Sequence, residues 1–105
     1  MSYERIHNAV IDHATTGDNE IVAAVSGKSI RVLDYAYVCA GAVTVRFEAG
    51  ASGTALTGQM SYGANGGINK GYNPNGHFTL PVGIALNMEL GGNVSVDGHL
   101  QYAVI

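Results

Sequence analysis

From Ala42 to Glu48 the chain alternates strictly: Val43, Val45 and Phe47 are apolar, while Thr44, Arg46 and Glu48 are polar. A two-residue period places successive side chains on opposite faces of an extended strand, so this segment predicts a half-buried antiparallel strand. Ala85 to Leu90 repeats the pattern, with Leu86, Met88 and Leu90 facing one way and Asn87 and Glu89 the other. A helix would need apolar residues at three-and-four spacing over about a dozen positions. No window free of glycine or of β-branched runs supplies it.

Glycine and asparagine clusters divide the strands. Gly91-Gly92-Asn93 predicts a hairpin turn that sends the chain back through Val94 to Ile105, where Val94, Val96, Leu100, Tyr102 and Val104 share one parity. In Lys28 to Cys39 the apolar parity changes: Ile30 and Val32 hold one face, then Leu33, Tyr35 and Tyr37 the other, which predicts a bulge near Asp34 or burial of both faces. Ile6 to Ile11 and Ile21 to Val25 read as strands separated by a polar loop, Thr15 to Asn19. Shorter β segments fall around Leu56 to Tyr62 and Gly67 to Tyr72, and Asn73-Pro74-Asn75-Gly76 is a turn before His77 to Leu80. About eight or nine short antiparallel strands with regular turns predict an all-β sandwich, jelly-roll-like in type. At 105 residues the chain is one domain, 1–105, in which 1–20 form an arm plus the first strand.

Charged residues make up only 12% of the chain, against about 25% in ordinary soluble domains. The net charge is −3, and the five basic residues, Arg5, Lys28, Arg31, Arg46 and Lys70, are dispersed. Nucleic-acid binding needs a basic surface, and none is visible. No run approaches the roughly 18 apolar residues of a membrane span, and Met1 to Arg5 lacks the pattern of a signal peptide, which predicts a protein made soluble in a cytoplasm. Cys39 is the one cysteine, so no internal disulfide can form. A sandwich whose outward positions are Ala, Ser, Thr, Asn and Gly is expected to have part of its exterior covered, by oligomerisation or by docking on a larger assembly. The final strand, ending Gln101-Tyr102-Ala103-Val104-Ile105, also lacks charged gatekeepers.

Candidates for chemistry are few. His7, His13, His77 and His99 stand in no metal-ligand motif and read as surface or interface histidines, so no metal or other cofactor is expected. Cys39 ends an apolar strand and reads as a small buried residue, not a nucleophile. The eight carboxylates are scattered and read as solvated charge. Gly63-Ala64-Asn65-Gly66-Gly67 continues into Ile68-Asn69-Lys70, which is not a phosphate loop but a turn between strands. Tyr35 and Tyr37 share a strand face, and Tyr62 and Tyr72 flank the glycine loop. Rings with polar tips suit a partly wet contact surface, including one for sugar. Tyr35, Tyr37, Tyr62, Tyr72 and His77 are therefore the candidate interface or binding side chains, and no catalytic residue is expected.

The run Ile21-Val22-Ala23-Ala24-Val25-Ser26-Gly27-Lys28-Ser29-Ile30-Arg31-Val32-Leu33 resembles a recurring pattern in small virion proteins of tailed bacteriophages. Ala40 to Val45, Leu56-Thr57-Gly58, Ala64 to Gly67, Tyr72 to Gly76, Ala85-Leu86-Asn87 and Gly98-His99-Leu100 continue it in order. The chain is thus similar to capsid decoration, or cement, proteins. The resemblance implies an all-β trimer on the outside of the head that contacts the major capsid protein and braces neighbouring capsomers, located in the virion and without enzymatic activity. A carbohydrate-binding or fibre-base module on a virion surface is the alternative. Asp34 and Cys39 depart from the small neutral residues usual in the pattern.

Overall fold

The computed structural model describes residues 5–105; the first part of the expected N-terminal arm lies outside them. Ten strands follow in order: β1 His7–His13, β2 Gly17–Val22, β3 Ile30–Cys39, β4 Val43–Ala49, β5 Thr54–Ala55, β6 Met60–Tyr62, β7 Gly67–Lys70, β8 Phe78–Thr79, β9 Leu86–Leu90 and β10 Val96–Val104. No helix occurs among the described residues. One sheet runs β1-β10-β3-β7, with β8 also on β3, and the other runs β2-β9-β4-β5, with β6 also on β4. Every pairing is antiparallel.

The pairings are nested. β1 lies against β10, β2 against β9, β3 against β7 and β8, and β4 against β5 and β6. The chain is in effect one long hairpin with its tip after β4, rolled so that successive strand pairs fall alternately into two sheets. With β5/β6 and β7/β8 each counted as an interrupted strand, this is the eight-stranded jelly roll. The inner faces enclose Ile11, Ile30, Val32, Tyr35, Tyr37, Val45, Phe47, Leu86, Met88, Leu90, Val96 and Leu100, all buried.

The expected hairpin between Ala85–Leu90 and Val94–Ile105 does not form. β9 belongs to one sheet and β10 to the other, and Gly91-Gly92-Asn93 carries the chain across. None of the three has positive φ, so the left-handed conformation of a tight hairpin is not what selects glycine there. Gly91 donates its N–H to the Thr44 carbonyl at 2.9 Å, and a Cβ on it would run into Thr44 Oγ1. The residue is small because the crossing hugs β4.

The parity change in β3 is a bulge. Gln101 faces Asp34 and Tyr102 faces Val32, which leaves Leu33 without a ladder partner. Residues 30 and 32 thus point inward before it, and 35, 37 and 39 after it. Asp34 Oδ1 accepts the Gln101 N–H at 3.0 Å, an aspartate role that fits its place beside the bulge. Upstream, the polar loop is shorter than expected: β2 already begins at Gly17 and ends at Val22, so Ala23 to Val25 lie beyond it and are exposed. Asn73 to Gly76 forms the expected turn, closed by the Gly76 N–H on the Asn73 carbonyl at 2.9 Å, with Gly76 at φ +82°.

Candidate functional site

Of the five candidate contact side chains, Tyr35 and Tyr37 point into the sandwich and are buried. They pack against Phe47 with ring centroids 5.0 and 6.1 Å away. Both phenols are pushed above their usual range, chiefly by burial. Neither can offer its ring to a partner; the shared face seen in the sequence is the core face. Tyr62 is half-buried, and its hydroxyl lies 2.9 Å from that of Tyr37. His77 donates from Nε2 to the Gly71 carbonyl at 2.8 Å and sets its ring edge-on to Tyr35. Tyr72 alone of the five is open to solvent, at 52% exposure.

The surface that is open was not singled out by the tyrosines. On the outer face of the first sheet, cross-strand registers set Val10, His99, Ala36 and Asn69 in one row and Asp12, Asp97, Val38 and Gly67 in the next. Ala36, Val38, Gly67, Asn69, Asp97, Gly98 and His99 line an open groove of about 510 Å³ there. Val10 and Val38 are 69% and 53% exposed. Asp97 is held above the usual carboxylate range, chiefly by its side-chain hydrogen bond with Asp12. From Asn8 to Asp12, Asp97 to Gln101, Asp34 to Val38 and Gly67 to Asn69 there is no lysine or arginine. The sequence signal was present in β3, where Ala36 and Val38 are apolar on the parity opposite Tyr35 and Tyr37.

The second cluster corrects the reading of the carboxylates as solvated and scattered. Asp18, Glu48 and Glu89 bring carboxylate oxygens within 4.8 Å of one another on the outer face of the second sheet. Glu48 is fully buried, at 0% exposure. Arg46 Nη2 donates to Glu48 Oε2 and to Glu89 Oε1, each at 3.1 Å. Glu48 Oε1 has no donor among the described residues. Asp18 Oδ2 accepts from the Ser52 N–H and hydroxyl at 2.9 and 3.1 Å.

Burial, and then the hydrogen bond with Asp18, push Glu48 up to about 7, while that same bond holds Asp18 low. Asp18 and Glu89 thus flank the buried Glu48 carboxyl, and the Arg46 guanidinium supplies positive charge to Glu48 and Glu89. The cluster is a structural clamp that ties the turn after β4 to β2. Cys39 is buried, and burial raises its thiol, opposite to what activates a nucleophile.

Comparison with protein-family models, with curated proteins and with solved structures gave no match to this chain.

Proposed function

We propose that the protein is a structural virion module of the capsid-decoration type, which docks on the major capsid protein of a bacteriophage head through the outer face of the first sheet. The observation that carries this reading is that face itself: Val10 and Val38 stand exposed beside a groove floored by Ala36, Gly67 and Gly98, with no basic side chain among them. A floor without long side chains lets a partner's backbone come close. A rim whose ionisable groups are Asp97 and His99, with Asp12 across from Asp97 on β1, suits a partner that brings hydrogen-bond donors or basic groups. The jelly roll is a fold of viral coat domains and of lectins alike, so it supports the class and not the partner. Anything that binds the assembled shell and not its free subunits stabilises the shell by mass action.

Co-sedimentation with expanded phage heads tests the reading. Saturation at a fixed number of lattice sites is expected, with Val38→Asp weakening binding by about tenfold or more. Absence of saturable binding to heads would overturn it. The groove also favours a second reading, because Asn69, Asp97 and His99 rim an apolar floor in the manner of a small polar-ligand site. On a glycan array, binding lost with Asp97→Ala and unaffected by Val10→Asp would select a sugar instead.

A further inference from the structure

Four strand edges bound the two sheets. The β7/β8 edge and the β5/β6 edge are short and interrupted. The β2 edge carries Asp18 and Glu20 and breaks its register with β9 between Glu20 and Val22. Interruption, charge and irregularity are the usual means of blunting an edge. β1 has seven residues, an unbroken register against β10 and neither proline, lysine nor arginine. Among the described residues it pairs with β10 alone, and no backbone hydrogen bond outside the ladders reaches His7–His13.

The order of residues along β1 is His-Asn-Ala-Val-Ile-Asp-His, which reads almost the same in both directions. We propose that two copies of the chain join through β1, antiparallel about a two-fold axis at Val10, extending the first sheet across the dimer. In that register His7 of one copy meets His13 of the other, Asn8 meets Asp12, Ala9 meets Ile11, and Val10 meets Val10. Each pairing is chemically matched: the Asn8 amide donates to the Asp12 carboxylate, and the exposed Val10 side chains cover each other.

Moving the axis by one residue sets Asp12 against Ile6 or against Val10 and shortens the paired stretch. An isologous contact requires this kind of self-complementarity. A further observation falls in the same register. His13 Nε2 is buried without a partner among the described residues, and it sits at the position that His7 of the second copy would face.

This pairing does not depend on the virion reading, and its two-fold symmetry differs from the three-fold association that the resemblance implies. Disulfide trapping on the full chain tests both existence and register. Directly opposed Cα atoms in an antiparallel pair lie about 4.5–5.5 Å apart, inside the span that a disulfide bridges. Val10→Cys is therefore expected to give a covalent dimer under mild oxidation at least about tenfold faster than Asn8→Cys or Asp12→Cys alone, since copies of residue 8 stand roughly 13 Å apart along the strands. A mixture of Asn8→Cys and Asp12→Cys should cross-link where neither does singly. In sedimentation, Val10→Asp should shift the wild-type dimer to monomer and Val10→Thr should leave it intact. The inference is overturned if the wild type stays monomeric up to about 500 µM, if it forms a trimer in which Val10→Cys does not cross-link, or if Val10→Cys reacts no faster than Asn8→Cys.

Discussion

Glu48 shows how a charged residue on an outward strand position can belong to the interior. It alternates with the core residues of β4, yet it is fully buried, with Arg46 on one carboxyl oxygen and Asp18 and Glu89 beside it. Its folded-state value of about 7 exceeds the ordinary 4.5, so the native chain holds a proton that the unfolded chain has released across that window. The contribution of Glu48 is therefore fully present below about pH 4.5 and is lost as pH rises through about 7, by roughly 3 kcal/mol. Urea midpoints measured between pH 4.5 and 8 would show the decline. Glu48→Gln keeps a donor toward Asp18 and should flatten the dependence, while Glu48→Ala should cost about 2–4 kcal/mol at every pH by leaving Arg46 short of a buried partner. Tyr62→Phe should cost about 1–2 kcal/mol in chemical denaturation, because it strips the partner from the buried Tyr37 hydroxyl.

At the scale of elements, alternation located strands reliably and their partners poorly. β4 and β9 lie within a residue of where their patterns place them, since burial on one face requires the period that marks them. The parity change in β3 announced its bulge for the same reason. Gly91-Gly92-Asn93 predicts a hairpin that the structure lacks, because glycine serves two purposes, positive φ and close approach, that look identical in a sequence. The second applies here, which separates its neighbours. Gly91→Ala should destabilise by about 1–3 kcal/mol through its collision with Thr44, and Gly92→Ala, with nothing within 4 Å of its Cβ, should stay within about 0.5 kcal/mol, as thermal melts would show.

For the whole molecule, nested pairing makes nearly every ladder non-local: His7 faces Tyr102, and Gly17 faces Leu90. Loop closure must precede most of the stabilising contacts, so refolding in stopped-flow should take milliseconds to seconds instead of microseconds. β10 lies between β1 and β3, so truncation before Val96 should abolish cooperative unfolding of the entire domain. By itself the amino-acid order determined the β class, most strand positions, the turn at Asn73 to Gly76 and the scarcity of surface charge, because each is written in local periodicity and composition. Which strands pair, that Tyr35 and Tyr37 face inward, that Val10 and Val38 stand open, and that Asp18, Glu89 and Arg46 meet around Glu48 were decided only by tertiary structure, because each depends on which distant segment lies across the sheet.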